Sequence, residues 1–416
     1  MTHAGGCPFH QENVKSISEE FQPFDINNPF PFYRKARAYE PVFFSRELGY
    51  YVVTRYEDVK AVFKDWKTFS SENAQAPIRP ICKAAKDLMD AGGLVGLSGL
   101  SGRIPPDHTR IRRIVSMAFG LKRFKALEPR IRQLAVGTIN SFAADGKAEL
   151  VRQLAYDLPA LVIFMLLGVP EEDVPKVKDW AVSRLMLTWG NLSDEEQLHH
   201  ARNMVHYWNY CQNLVKSRKE KMEDDLPGDL VKLQSEGQDI SDREMASICY
   251  SMLFAGHETT TSLIANGIRE LLLHRESWEH VTAHPEAIPG ATEEILRYSG
   301  SIVAWRRKAM VDAHIGGVKI PKGSNILLVM GSANRDENVF GDGEEFNILR
   351  ENAGEHLSFG NGIHFCLGSP LAKLEFKIVL EELTRILPQL RLTPGQEFKF
   401  ACNTSFRAPA SLYVEW

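Results

Sequence analysis

The chain has 416 residues, 44% hydrophobic and 25% charged, which is enough for one large domain or two to three ordinary ones. A net charge of −4 leaves no electrostatic footprint for nucleic acid or an anionic membrane surface. No apolar run approaches the ~18 residues a bilayer span needs, and "MTHAGGCPFHQENVKSISEE" has no signal-peptide core; the expectation is a soluble, cytoplasmic protein.

No repeat, low-complexity segment or Pro/Gly/Ser linker divides the chain. "PVFFSRELGYYVVTRYEDV" predicts two strands around a turn and a helix start. "DLMDAGGLVGLSGLSGRIPP" is glycine-rich yet carries four leucines, so it either faces a pocket or tucks onto the core. "DHTRIRRIVSMAFG" predicts a basic amphipathic helix after Pro105-Pro106, ending near Gly120. Helical periodicity then dominates from Phe124 to His280. Within it, "SDREMASICYSMLFAGHETTTSLIANGIRELLLH" opens on a capping box, Ser241 with Glu244. Its apolar pattern lasts about nine turns, roughly 50 Å, so this helix is expected to cross the molecule and be largely buried. A helix ending near Tyr298 follows, then strands around a Pro-Lys-Gly turn in "HIGGVKIPKGSNILLVM", a helix from near Cys366 to Leu387, and a strand-like tail, "FRAPASLYVEW". The fold class is mainly α, with a smaller β-rich part assembled from separate segments.

The six cysteines, Cys7, Cys82, Cys211, Cys249, Cys366 and Cys402, are scattered, without a C-x-x-C pair or a disulfide framework. Cys366 differs in its setting, "HLSFGNGIHFCLGSPLAKLE". It stands just ahead of an apolar-periodic helix, whose positive end favours a thiolate. Gly360, Gly362 and Gly368 give the backbone freedom to wrap a sulfur and aim N–H groups at it. For an isolated cysteine in such a turn, simple burial is the competing reading. Zinc is disfavoured because no second cysteine pair closes four ligands, and "HETTT" has Thr261 where H-E-x-x-H needs histidine.

The segment Phe359-Gly360-Asn361-Gly362-Ile363-His364-Phe365-Cys366-Leu367-Gly368 resembles the F-G-x-G-x-H-x-C-x-G loop of the cytochrome P450 family. The resemblance implies a cytochrome P450 fold with haem b (iron protoporphyrin IX) between the long central helix and the cysteine-loop helix. Cys366 would be the axial metal ligand, and Phe359, Gly360 and Gly368 would shape the loop around it. His364, His108, Arg112 and Arg307 fall where the family contacts the haem propionates. Ala255-Gly256-His257-Glu258-Thr259-Thr260 is similar to the family's oxygen-activating turn. It implies haem contact at Ala255 and Gly256, room for dioxygen as the reason for Gly256, and a proton relay by Glu258 and Thr259. Glu294 and Arg297 match its E-x-x-R, and Arg350 would complete that structural triad. Ser301 stands where the family often has proline.

These features imply a monooxygenase that uses O₂ and NAD(P)H-derived electrons to hydroxylate or dealkylate a small, mostly apolar organic substrate. Leu94, Leu97, Leu100, Phe254, Ile302, Val303, Ala304 and Thr404 are the expected pocket residues, with Arg184 nearby, and their largely apolar character favours a small aromatic or aliphatic compound over a carboxylate-bearing one. Stretches such as "YSGSIVAWRRKA" and "NTSFRAP" look like the haem domain of self-sufficient members fused to a reductase carrying FMN and a 2Fe-2S cluster. Residues 1–416 would then be a single haem domain without a reductase, served by a reductase or ferredoxin or by such a fused module. Arg110, Arg113, Lys122, Arg123, Lys373 and Lys377 are either the basic dock for that partner or a solvated face. The competing functions are a hydrogen-peroxide-driven peroxygenase, which the acid–alcohol pair argues against, and a haem sensor or carrier.

Overall fold

The computed structural model describes residues 16–416, apart from the side chains of Leu121 and Lys122; Cys7 lies outside the described residues. The long helix, Asp242–Leu273, begins where its capping box requires: Ser241 accepts from the Glu244 N–H, and Glu244 accepts from the Ser241 N–H. Most of its circumference from Met245 to Leu272 is buried because helices pack against it on several sides, apart from a middle stretch, Ser251 to Thr259, where Ser251, Met252, Ala255, Gly256, Glu258 and Thr259 stay partly open. At Gly267 the cysteine helix, Ser369–Ile386, approaches so closely that a Cβ would lie 2.4 Å from Phe376 Cζ. The helices Val174–Trp189, Asp194–Glu220 and Leu158–Leu166 pack on the other flanks. The expected helical stretch from Phe124 is interrupted by a short strand, Lys147–Glu149, and a π-helical turn, Val151–Ala155.

The β-rich part is a five-stranded sheet in the order Val42–Ser45, Tyr50–Val53, Asn325–Leu328, Trp305–Ala309, Phe69–Ser70. The Tyr50–Val53 and Asn325–Leu328 strands are parallel, and the other neighbours are antiparallel. The segment "HIGGVKIPKGSNILLVM" forms three strands rather than a pair around Pro-Lys-Gly. Gly316 and Gly317, both at positive φ, turn a separate hairpin, and Pro321-Lys322-Gly323 then leads into the large sheet. In the tail only Tyr413–Glu415 is a strand, held by Lys147–Glu149 and Arg391–Leu392; Phe406 makes an isolated bridge to Ile302. The basic helix is Asp107–Ala118. The leucine-rich loop before it is tied to the start of the long helix, where Arg243 donates to the carbonyls of Gly93 and Val95. No helix among the described residues is long and apolar enough to cross a membrane.

Candidate active site

The loop that presents Cys366 turns on two left-handed glycines, Gly360 at φ 70° and Gly362 at φ 71°. At Gly362 a Cβ would also lie 2.7 Å from the Phe63 carbonyl oxygen. Gly368 departs from expectation: its φ of −83° is open to any residue, and a Cβ there would meet Cys366 Sγ only at an ordinary contact distance of 3.9 Å, so neither backbone nor packing demands glycine at this position. The Cys366 N–H donates to the Phe359 carbonyl at 3.0 Å and closes the loop. The sulfur opens into an internal cavity of about 290 Å³. Surrounding protein pushes its pKa up, while the Gly368 and Ser369 N–H groups and the Arg112 charge oppose that shift.

Cations and imidazoles gather at the cysteine end. Arg112 donates to the Phe365 carbonyl at 2.7 Å. Arg307 is carried by the strand Trp305–Ala309 and donates to the Arg306 carbonyl at 2.8 Å, leaving its Nε without an acceptor. Among the described residues neither guanidinium is paired with a carboxylate; burial lowers the pKa of Arg112 and brings Arg307 to about 10. The rings of His108 and His364 lie 4.1 Å apart, and both His108 nitrogens and His364 Nδ1 lack partners among the described residues. Burial, followed by neighbouring cations, lowers His108 to about 4 and His364 to about 3, so both are neutral at pH 7.

Phe254, Ala255, Gly256 and Thr259 of the long helix line the same cavity, together with Leu100, Ile302, Arg112, Arg307, Phe359, Gly360, His364 and Gly368. A Cβ on Gly256 would lie 2.6 Å from Ile163 Cγ1, so helix-to-helix packing demands this glycine whether or not dioxygen needs the space. Thr259 donates its hydroxyl to the Ala255 carbonyl at 2.7 Å, and the Thr259 carbonyl accepts from the Ser301 hydroxyl at 2.7 Å. A proline at 301 would have no such donor. Glu258 is partly buried beside Thr259, and desolvation raises its carboxyl to about 7 against the opposing charge of Lys178. His257 hydrogen-bonds the Tyr156 carbonyl through Nε2, so that nitrogen carries the proton. Its bare Nδ1 lies 3.3 Å from Glu258 Oε1, without hydrogen-bond geometry. Lys178 in turn binds Asp157, which is 55% exposed and reaches solvent.

Five expected pocket residues lie off the cavity wall. Leu94 and Leu97 are turned onto the helical core, and Val303 and Ala304 are buried, Val303 against Gly331 and Ala304 in the N-terminal aromatic cluster. Thr404 is held by its N–H to the Trp189 carbonyl at 3.2 Å. In their place the wall contains Gln75, Ser101, Ser251, Trp305 and Phe406, and Arg184 reaches it directly. Nothing local in the sequence distinguishes these loop and helix residues; their meeting is tertiary. Glu294 and Arg297 form a fully buried bidentate pair at 2.7 and 2.8 Å, and the remaining Arg297 donors meet the carbonyls of Asn334, Gly343 and Glu345. Arg350 Nε stands 3.4 Å from the same carboxylate.

The proposed basic dock is largely neutralised within the chain. Arg110 pairs with Asp107 and Glu244, Arg123 with Asp224 and Asp229, Lys373 with Glu293, and Lys377 with Glu381. Arg113 donates to Gln238. The Lys122 side chain lies outside the described residues. This pairing favours the solvated-face reading.

The family model "Cytochrome P450" matches residues 27–290 and 286–405, and the chain belongs to that family, whose members are haem monooxygenases supplied by redox partners. It is 34% identical to the mycinamicin IV hydroxylase/epoxidase of Micromonospora griseorubida, over 88% of this chain and 89% of that protein. The structure of cytochrome P450 CREJ in complex with (4-ethylphenyl) dihydrogen phosphate superposes with a TM-score of 0.94 at 52% identity, covering 96% of this chain and all of that one. Full-length CYP116B46 from Tepidiphilus thermophilus gives a TM-score of 0.92 at 35% identity, with 96% of this chain matched to 54% of that protein.

Proposed function

We propose that this chain is a single haem b domain that inserts one atom of dioxygen into a small, largely apolar organic substrate, using NAD(P)H-derived electrons from a separate or attached reductase. One observation carries the reading: Cys366 and Thr259 open onto one cavity, beside the cation cluster of Arg112 and Arg307, with which no carboxylate among the described residues pairs, although Glu375 also borders the cavity. That cluster suits a flat group with two carboxylates. Arg112 and Arg307 would supply the charge, and the unpartnered nitrogens of His108 and His364 the hydrogen bonds. The loop suits a metal-bound sulfur, because the Gly368 and Ser369 N–H groups and Arg112 all favour the thiolate. Bound there, haem supplies the reductive activation of dioxygen.

The remaining work belongs to side chains of this protein. Glu258, near neutrality in its pKa, can give and regain a proton at working pH, and Lys178 with Asp157 marks the way to solvent. Thr259 spends its hydroxyl proton on the Ala255 carbonyl, so its oxygen is free to accept a hydrogen bond from the cavity side. The buried Glu294–Arg297 pair would hold the region behind the cysteine loop. The aromatic wall of Phe254, Trp305 and Phe406 supports a planar apolar body as substrate. The neighbour that holds an aryl phosphate makes a ring with one anionic substituent the first ligand to try.

The test is aerobic turnover with a surrogate reductase and isotopically labelled dioxygen. One labelled atom in the product, with NAD(P)H consumption matched to product, is the expected result. Thr259→Ala should divert the reducing equivalents to hydrogen peroxide with haem retained. Unchanged coupling in that variant would remove the relay from the account.

A further inference from the structure

One cation in the cavity is left over once the cysteine end is accounted for. Arg184, on the helix Val174–Trp189, is only 5% exposed and lines the cavity, yet no carboxylate among the described residues pairs with it. One Nη donates to the Tyr250 carbonyl at 2.7 Å and the other to Gln75 Oε1 at 3.1 Å. The guanidinium lies 4.4 Å over the Tyr250 ring and 5.0 Å over Phe254, which fixes its plane at the edge of the aromatic wall. A buried charge without a counter-ion is costly, and the fold offers this one only partial compensation. Arg306 is a useful contrast: it too lacks a carboxylate, but it is wrapped by two backbone carbonyls, of Ala74 and Ala76, and does not reach the cavity.

The groups next to Arg184 on the cavity wall are donors or bridges to donors. Gln75 turns its amide N–H₂ to the Ser101 hydroxyl at 3.0 Å while its carbonyl oxygen holds Arg184. The Ser251 hydroxyl, one turn before Ala255, is buried without any partner among the described residues. We propose that Arg184, assisted by Ser101 and Ser251, binds an oxyanion substituent (phosphate, sulfate or carboxylate) on an otherwise aromatic substrate. This rests on the monooxygenase reading and deepens it. Arg184 acts as the specificity-determining residue: it anchors the charged end while Phe254, Trp305 and Phe406 hold the ring, so the opposite end of the molecule is the one presented for oxidation.

Calorimetric titration of the haem-loaded chain with 4-ethylphenyl phosphate and with 4-ethylphenol tests the assignment. The ester should bind roughly 10- to 100-fold more tightly, the span expected for hydrogen bonds to a charged group in a dry site. Arg184→Gln should abolish that preference while the phenol's Kd stays within about threefold, and Arg184→Lys should keep part of it. The Soret spectrum and unfolding midpoint of each variant report whether it is folded. If Arg184→Gln does not load haem, Arg184→Lys and Ser251→Ala decide: full preference in both refutes the site. Equal affinities in the parent protein, a preference that survives Arg184→Gln, or binding of neither ligand would each overturn the proposal. A parent protein that takes up no haem would instead overturn the broader reading, before any ligand is added.

Discussion

Gly256→Ala sets two readings of one residue against each other. In a helix interior the change gains about 1 kcal/mol of propensity. Here the added Cβ would sit 2.6 Å from Ile163 Cγ1, 2.8 Å from Cδ1 and 3.1 Å from Cβ, so Ile163, which is 2% exposed and borders the cavity, must shift to admit it. Overpacking of that kind costs about 1–3 kcal/mol, so the net effect should be a loss of about 0–2 kcal/mol. Ile163→Ala alone opens a cavity and should cost about 2–5 kcal/mol. Together they should be less damaging than their sum by about 1–3 kcal/mol, because the new methyl occupies space the isoleucine vacated. Urea unfolding of the four proteins, with haem content measured in each, gives the coupling directly. Additive single-mutant costs, within about 0.5 kcal/mol, would refute packing as the reason for this glycine. If Gly256→Ala were additive in stability but lost affinity for dioxygen or carbon monoxide, the space-for-oxygen explanation would stand alone.

Glu258 should leave a pH signature in stability. Its carboxyl rises from an ordinary 4.5 to about 7, so the folded chain holds a proton that the unfolded chain releases. Folding is therefore favoured less by this group as pH climbs through that window, by at most about 3 kcal/mol in total, with no further change above it. Glu258→Gln should flatten this fall between pH 4.5 and pH 7 in denaturant titrations; an unaltered pH slope would show that the carboxyl is not shifted. Arg297→Ala leaves Glu294 charged and fully buried, which should cost about 3–5 kcal/mol and deplete folded, haem-loaded protein; a change below about 1 kcal/mol would mean the site admits water.

Much of the fold was readable because it rests on local rules. The Ser241–Glu244 capping box marks the start of the long helix, and the Gly360 and Gly362 turns mark the cysteine loop. The pairing of Glu294 with Arg297 follows from one helical turn of spacing, although only the structure gives its complete burial. Of the expected site residues, the cavity gathers Phe254, Ala255, Gly256 and Thr259 of the long helix, those of the cysteine loop and Arg307 of the Trp305–Ala309 strand, where periodicity or a turn dictates direction, while Glu258 does not line it. Predictions failed where direction depends on tertiary packing. Val303 and Ala304 look like wall residues from their neighbours, yet the extended segment turns Val303 against Gly331 and Ala304 into another cluster. Gln75, on a turn, and Ser251, on the long helix, are far apart in sequence and unremarkable in context, and only the tertiary fold puts both on the cavity wall with Arg184. Whether the basic residues form a dock or a solvated face stayed open because a sequence does not reveal that Glu244, Asp229, Glu293 and Glu381 fold back onto them.

The central claim is that the Cys366 sulfur holds the haem iron, and the ferrous carbonyl spectrum tests it most directly. The parent protein should show the red-shifted Soret band of a thiolate-ligated carbonyl adduct. Cys366→His should bind haem yet give the unshifted band of an imidazole-ligated one. A thiolate-type band that persists in Cys366→His, or a parent protein that binds haem without ever showing it, would contradict the account.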